Sequence, residues 1–121
     1  MTNIYLSTPS TTDLMEEVRL VRRLLIKMLT DNKLTYDINS EHNVLCDWPH
    51  IDPMKSTNHF KDDMKQMTYR LQLMGQCEHF IFIDHWLDLK ICRTELDVLK
   101  NYNLDWKKAI LRLHDNELVI V

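Results

Sequence analysis

The chain has a single glycine, Gly75, among its 121 residues, whereas glycine makes up about 7% of an average protein. Glycine-rich loops hold phosphates because the backbone can approach the ligand closely where no Cβ intervenes. A function that depends on such a loop is therefore excluded.

Cysteine is scarce as well, with three residues at positions 46, 77 and 92. An odd count without a short-range pairing pattern favours a reducing compartment, where a cysteine is more often a small core residue than a reactive thiol. The chain also lacks a basic start followed by an apolar stretch, and it lacks any apolar run of membrane-spanning length. We therefore expect a cytoplasmic protein that is neither secreted nor inserted in a membrane.

The chain has no excess of positive charge, because 15 lysine and arginine residues stand against 18 aspartate and glutamate residues, a net charge of −3. Proteins that hold phosphate backbones do so through a basic surface that releases counterions. Nucleic acid is therefore not an expected partner. Metal-capable side chains do occur near one another, at Asp84, His85, Asp88 and Cys92, but without a zinc-type spacing. We expect no metal and no cofactor.

The most informative part of the sequence is the stretch Gln76–Leu104. Its apolar run, His79–Ile83, is typical of a strand that is covered on both faces and therefore central in a parallel sheet. Ligands bind in the crevice beyond the carboxyl ends of such strands. Four polar or aromatic residues follow the run: Asp84, His85, Trp86 and Asp88. They are predicted to line a ligand site, although a polar loop with a half-buried tryptophan is the alternative interpretation.

Periodic apolar residues predict a first helix over residues 13–32. Its stripe has the spacing i, i+4, i+7, i+11 and i+14 and consists of Leu14, Val18, Val21, Leu25 and Met28, and Leu24 and Leu29 widen it. Ser10 and Asp13 each stand three residues before an acidic residue, and this capping-box spacing predicts a side-chain cap at the start of the helix. The basic residues of the helix are expected on its solvated face, and a functional basic patch is the alternative.

A second stripe with the same spacing predicts a helix that ends at Gly75. It consists of Phe60, Met64, Met67, Leu71 and Met74. The only glycine stands where the end of a helix needs a positive φ angle, which supports this boundary. We expect the methionine-rich stripe to face the core, and an adaptable binding surface is the alternative.

A third helix is predicted over Ile91–Tyr102, and one of its faces carries a carboxylate. That face consists of Cys92, Glu95, Leu99 and Tyr102. A carboxylate on an otherwise apolar face is costly unless it is paired or takes part in chemistry. Glu95 is therefore the most informative single residue of the chain.

Short β-favouring runs complete the pattern: Asn3–Leu6, one of Leu34–Ile38 and Val44–Trp48, then Lys108–Leu113 and Leu118–Val121. Strands that alternate with helices predict an α/β fold. We expect one domain, residues 1–121, of three-layer Rossmann-like architecture with a mostly parallel sheet of four to five strands and helices on both faces. A chain of this length can bury about two-thirds of its unfolded surface.

The segment Asp47–Pro53 carries two prolines within five residues and cannot form regular structure. It is predicted to be a loop over the same end of the sheet as Asp84. Asp47, Trp48 and Asp52 are therefore secondary candidates for the ligand site, with Trp48 as the ligand-binding residue. A proline-stiffened connection in which Trp48 covers the core is the other interpretation.

Short motifs along the chain carry a family resemblance. They are Ile4-Tyr5-Leu6-x-x-Pro9 in the first strand, Cys77-Glu78 before the central strand, Asp84-His85-Trp86 after it, and Glu95 nine residues further on. In these motifs and in its element order the chain resembles the nucleoside 2-deoxyribosyltransferase-like superfamily. It is most similar to a small, uncharacterised branch that is common in phages and bacteria. The resemblance covers nearly the whole chain.

The resemblance implies an activity on N-glycosidic bonds. In catalytic members a glutamate on the third helix attacks the anomeric carbon of a deoxynucleoside, and water or a second base resolves the covalent glycosyl-enzyme. Carried over, Glu95 would be the nucleophile and Tyr5 would help to position it. Asp84 and Trp86 would line the base and sugar pocket, with Trp86 offering a stacking face. Relatives are homo-oligomers, so we expect a dimer or larger assembly.

Three departures from the family pattern bear on this activity. Thr8 stands in place of a glycine, Arg70 in place of an aspartate, and Leu89 and Ile91 in place of a Ser-x-Gly motif. Loss of the acid and of the small residues predicts weakened transferase chemistry, with Thr8 and Arg70 as ligand-binding candidates. Arg70 could bind a phosphate through its planar fork. Glu95 would then be a ligand for sugar hydroxyls or a partner of Arg70.

Three functions remain open on the sequence. The leading hypothesis is a nucleotide or nucleoside-phosphate binding protein, for example a phage protein that captures a nucleotide-derived signal in the host cytoplasm. The second is an active N-glycoside hydrolase or transferase that uses Glu95. The third is an interaction module that binds and inhibits a host protein.

Overall fold

A computed structural model describes residues 2–34, 36, 41–46 and 59–121 of the chain. Its strands are β1 (Thr2–Ser7), β2 (His42–Leu45), β3 (His79–Ile83), β4 (Lys107–Arg112) and β5 (Glu117–Ile120). Its α-helices are α1 (Met15–Thr30), α2 (His59–Met74) and α3 (Lys90–Asn101), and short 3-10 turns cover Thr12–Leu14 and Asp84–Asp88. The predicted loop over residues 47–53, including Trp48, lies outside the described residues.

The five strands form one sheet in the order β2-β1-β3-β4-β5. β1 pairs in parallel with β2 and β3, and β3 pairs in parallel with β4, whereas β4 and β5 are antiparallel. The predicted α/β fold with a mostly parallel sheet is therefore confirmed, with five strands and β3 at the centre. Of the two candidates for the second strand, the run that contains Val44 supplies β2.

Successive residues of the two central strands belong to different hydrophobic clusters, as the alternation of side chains along a strand predicts. Ile4 and Ile81 belong to a first cluster, to which α1 contributes its buried stripe. Tyr5 and Phe80 belong to a second cluster, to which α2 and α3 contribute Met74, Leu96 and Leu99. Cys92 of α3 belongs to the first cluster, so α3 contributes buried residues to both clusters.

Two of the predicted helix boundaries have a different physical basis from the one expected. No side chain caps α1 at Leu14; instead, the carbonyl of Thr11 accepts a hydrogen bond from the Leu14 N–H at 3.3 Å, and the Thr11 hydroxyl accepts one from the Asp13 N–H at 3.4 Å. The capping-box prediction was therefore wrong, because the preceding 3-10 turn already supplies the acceptors. The buried residues of α1, which are Val18, Val21, Leu25 and Leu29, all belong to the predicted apolar face.

Gly75 ends α2 without adopting positive φ, so the predicted left-handed cap was wrong. Its N–H continues the helical pattern by donating to the Leu71 carbonyl at 3.0 Å. Asparagines take the left-handed position after the other two helices, Asn32 after α1 (φ 59°) and Asn103 after α3 (φ 55°). Asparagine tolerates this region because its short polar side chain can hydrogen-bond locally.

The buried face of α2 differs from the predicted stripe. Met74 is buried as predicted, but Met64 is 61% exposed and Leu71 is 40% exposed, and Arg70, which lies outside the stripe, is buried. On α3, Cys92, Glu95 and Leu99 are buried as predicted, but Tyr102 follows the end of the helix and is 73% exposed. In both cases some residues that have the predicted apolar spacing lie on the surface of the protein. No helix among the described residues is long and apolar enough to cross a membrane.

Candidate functional site

Glu95 stands at the centre of a buried polar network at the carboxyl end of β1. Its Oε2 atom accepts a hydrogen bond from the Tyr5 hydroxyl, and its Oε1 atom accepts one from the Ser7 hydroxyl at 2.7 Å. Tyr5 and Ser7 are two residues apart on one strand and therefore point to the same side of the sheet. α3 packs on that side through its buried face, which brings the carboxylate onto both hydroxyls.

Arg70 enters the same network from α2. Its Nη2 atom lies 3.3 Å from Oε1 of Glu95 and also donates to the backbone carbonyl of Thr8. Its Nε–H donates to the Tyr5 hydroxyl oxygen at 3.2 Å, and the Thr8 hydroxyl lies 3.3 Å from Nη2. The contacts of Arg70 thus join α2 to β1 and to the carboxylate of α3.

All five side chains of this network, Tyr5, Ser7, Thr8, Arg70 and Glu95, are wholly buried. A buried carboxylate is tolerated only when a counter-charge and hydrogen-bond donors replace its water. Arg70 supplies the charge, and the two hydroxyls supply donors. The carboxylate of Glu95 is therefore a paired anion that has exchanged solvent for protein contacts.

The electrostatics of the network keep Tyr5 protonated and Arg70 charged. Burial raises the pKa of Tyr5 well above its usual value, and the negative charge of Glu95 raises it further against the opposing effect of Arg70. Burial acts to lower the pKa of Arg70, but Glu95 and then Tyr5 outweigh it, so the pKa is raised. Tyr5 therefore acts as a hydrogen-bond donor to the carboxylate and not as a base.

Cys92 lies beside the network and does not have the properties of a nucleophile. Burial raises the pKa of its thiol to about 11, although a hydrogen bond with Ser7 and the charge of Arg70 act in the opposite direction. The thiolate is the reactive form of cysteine. A thiol that stays protonated near pH 7 behaves as a small core residue, as the sequence predicted.

The residues that follow β3 make a second set of contacts, which involve α1 and β4. Oε1 of Glu17, on α1, accepts a hydrogen bond from the Trp86 indole N–H at 2.8 Å and also contacts Nε2 of His85. Asp84 pairs with Lys108 of β4 at 3.4 Å. Trp86 is only 1% exposed and belongs to the first hydrophobic cluster, so its ring has no open face for stacking.

The predicted site residues thus separate into two groups. The structure brings together Tyr5, Thr8, Arg70 and Glu95, which are buried. At the end of β3, the side chains of Asp84, His85 and Asp88 are exposed and Trp86 is not. Trp48, the remaining candidate, lies outside the described residues. No cluster of three or more metal-ligating side chains occurs in the described part of the chain.

Two residues that contact the predicted site were missed by sequence reasoning. Ser7 could have been found, because a hydroxyl two residues after Tyr5 on a buried strand must face the same side. Glu17 gave no signal of this kind, because it is one of two adjacent acidic residues in the first turn of α1, where glutamate is common. Only the tertiary structure places it against Trp86.

Comparisons of the chain with protein-family models, with curated proteins and with solved structures found no match.

Proposed function

We propose that this protein binds a nucleotide or nucleoside phosphate, that it descends from a deoxyribosyltransferase-like ancestor, and that it does not use Glu95 as a nucleophile. The observation that supports this most directly is the wholly buried pair of Arg70 and Glu95, with 3.3 Å between Nη2 and Oε1. An arginine in the place of the family aspartate neutralises the carboxylate that the family reaction requires. The protein would therefore retain the ligand-binding fold but lack the nucleophile for glycosyl transfer.

A carboxylate nucleophile must present one oxygen to the anomeric carbon of its substrate. Oε2 of Glu95 is engaged by the Tyr5 hydroxyl, and Oε1 by the Ser7 hydroxyl and by Arg70. None of the Glu95 side chain is exposed. A substrate could reach its carboxylate only by displacing Arg70 of α2 and the two hydroxyl groups. The pairing of Glu95 with Arg70 that the sequence left open is what the contacts favour.

The ligand site that we propose lies at the carboxyl ends of the parallel strands. In doubly wound folds ligands bind at the carboxyl ends of the strands. We propose that the present fold is a three-layer Rossmann-like fold of that kind. Support for the three layers comes from the two hydrophobic clusters that divide alternate residues of β1 and β3. The exposed side chains of Asp84, His85 and Asp88 would face the sugar and base of the ligand.

A second candidate function, an interaction module that binds a host protein, has its own support. Leu89 and Ile91, which replace the family's small residues, pack against the first hydrophobic cluster and occupy space that a ligand would need. Met64 and Leu71 form an exposed apolar pair two helical turns apart on α2. Such a pair could contact a partner protein or a second copy of this chain. We also propose a cytoplasmic location and a homo-oligomeric state for either function.

A thermal-shift screen separates these functions. Ligands that bind only the native state raise its melting temperature by mass action. We expect nucleoside phosphates to raise it, and we expect Asp84→Asn and Asp88→Asn to reduce the shift while the exposed Asp97→Asn on α3 leaves it unchanged. A melting temperature that no nucleoside, nucleoside phosphate or cyclic nucleotide changes would contradict the proposal and favour the interaction module.

A further inference from the structure

A pocket with aromatic walls opens at the amino ends of the strands, whereas the buried network lies at the carboxyl end of β1. Its volume is about 370 Å³, and it is lined by Tyr36, His79, Phe80, Asp105, Trp106 and Lys107. His79 and Lys107 are the first residues of β3 and β4, which run in parallel. The pocket therefore lies at the amino ends of the strands. Binding sites for small molecules have volumes of about 300–1,000 Å³, so this pocket is large enough for one ligand.

Two separate aromatic contacts fix the walls of this pocket. The rings of Tyr36 and His79 stack with their centroids 3.8 Å apart and an interplanar angle of 14°. Trp106 stands edge-on to the buried ring of Phe82, at 5.9 Å and 82°, which fixes the plane of the indole. Phe80 is buried below them. Flat ligands stack on such preset ring faces without ordering new side chains.

Charged groups of both signs stand at the mouth of the pocket. The Nζ atom of Lys107 lies 5.9 Å from the centroid of the Tyr36 ring, and the side chain of Asp105 is exposed beside it. Burial lowers the pKa of His79, and the charges of His42 and Lys107 lower it further against the opposing effect of Glu78. His79 therefore contributes a neutral aromatic ring near pH 7, and Lys107 is the cation among the pocket-lining residues.

We propose that this pocket binds a planar heteroaromatic ring that carries an anionic group, as in a nucleoside monophosphate. The ring stacks on Trp106 and on the Tyr36–His79 pair, and the phosphate pairs with Lys107. Asp105 accepts a hydrogen bond from an exocyclic amino group of the ring. This inference rests on the proposed function for the class of ligand, and it places a second site for that class at the amino ends of the strands.

The test is isothermal titration of the full chain with the four common nucleoside monophosphates at fixed ionic strength. For the monophosphate that binds most tightly, we expect Trp106→Leu to raise the Kd about tenfold, because one base–aromatic stack is lost. We expect Lys107→Gln to raise it about fivefold, because one charge-assisted contact with the phosphate is lost. Lys100→Gln, an exposed lysine at the end of α3, is the matched control and should leave the Kd unchanged.

Two further probes identify the parts of the ligand that the pocket recognises. The matching nucleoside, which lacks the phosphate, should bind more weakly and should not respond to Lys107→Gln. Ribose 5-phosphate, which lacks the base, should not bind measurably. Circular dichroism establishes that each variant is folded, and Trp106→Phe, which keeps an aromatic face, should retain more affinity than Trp106→Leu.

The outcomes distinguish the two proposals. In one outcome, a monophosphate binds with a Kd that is unchanged in both Trp106→Leu and Lys107→Gln but that rises in Asp84→Asn or Asp88→Asn. In that case the ligand occupies only the site at the carboxyl ends of the strands. The present inference is then overturned while the proposed function stands. If none of the four monophosphates binds the wild-type chain, the present inference is overturned, whereas the proposed function is overturned only if the wider thermal-shift screen also finds no ligand.

Discussion

Nη2 of Arg70 lies 3.3 Å from Oε1 of Glu95, and neither side chain has any surface in contact with solvent. An ion pair in this position is not weakened by water, but each of its charges depends on the other for compensation. The pair also joins α2 to α3, and the hydrogen bonds of both residues with Tyr5 attach it to β1. Glu95 is therefore a structural anchor in this fold.

Removal of one member of the pair should be strongly destabilising. We expect Arg70→Met to lower the free energy of unfolding by about 3–5 kcal/mol, because it leaves the Glu95 carboxylate buried without its counter-charge. The exposed Arg19→Met is the matched control, since Arg19 pairs with Glu16 on the surface at 3.4 Å, and it should cost less than about 1 kcal/mol. Urea unfolding measures both.

The double variant Arg70→Met with Glu95→Leu tests the two members of the pair together. Replacing both members of a buried pair by apolar residues is often neutral, so the double variant should recover most of the stability that Arg70→Met loses. An Arg70→Met cost as small as that of Arg19→Met would show that Glu95 is not compensated by Arg70, and would contradict the structural role of the pair.

The contact between Glu17 and Trp86 should stabilise the segment after β3. Glu17→Ala removes the acceptor of the indole N–H and the partner of His85, and we expect a loss of about 1–3 kcal/mol for the unsatisfied buried donor. Glu16→Ala changes the adjacent acidic residue, whose side chain is exposed, and serves as the control. Equal stability of the two variants in urea unfolding would mean that the contact contributes nothing.

Alkaline pH should destabilise the protein through groups that hold their protons more tightly in the folded state. Burial raises the pKa of Cys92 to about 11, and that of Cys77 to about 12, where the charge of Glu78 also contributes. Burial alone raises the pKa of Tyr36 to about 12. The unfolded chain releases these protons at lower pH. The contribution of these groups to stability is therefore fully present below their pKa values in the unfolded chain, and it is lost as pH rises towards their pKa values in the folded state.

Urea unfolding at pH 8 and pH 10.5 checks this dependence. The wild-type chain should be less stable at the higher pH, and Cys92→Ala should show a smaller loss between the two, because one of the contributing thiols is gone. A free energy of unfolding that is equal at both pH values would contradict the assigned protonation states.

Gly75→Ala should be neutral or stabilising, contrary to what the sequence suggested. Gly75 does not have positive φ, and an added Cβ would lie 3.5 Å from the carbonyl oxygens of Leu71 and Gln72, an ordinary van der Waals distance. Alanine then reduces the entropy of the unfolded chain, which is worth about 0.4–1 kcal/mol. A melting temperature below that of wild type would show that the site needs glycine.

The order of strands and helices could be predicted because it follows from local patterns. The apolar run of β3 specified a central strand, and the stripe of Val18, Val21 and Leu25 specified the buried face of α1. These residues belong to the core because they are apolar, and the spacing of apolar residues in a sequence predicts such burial. Glu95 was singled out for the same reason, as the one carboxylate on an apolar face.

The buried face of α2 could not be predicted in this way. Its apolar spacing favoured a face with Met64 and Leu71, but these two are exposed and Arg70, which lies outside the predicted stripe, is buried. An arginine belongs to the core only because a carboxylate 25 positions further along the chain is buried opposite it. The burial of Trp86 was missed for a related reason, since its ring packs in the first hydrophobic cluster and its indole N–H donates to Glu17 of α1, and both contacts are tertiary.

Glu95 pairs with Arg70, and we propose that it does not act as a nucleophile. The most direct test is to incubate the wild-type protein at high concentration with deoxynucleosides and nucleoside phosphates and to measure released base by chromatography. We predict no release above the level seen with Glu95→Gln. Release by the wild-type chain that Glu95→Gln abolishes, with Asp97→Asn unaffected, would contradict the claim and identify the protein as an active N-glycosidase.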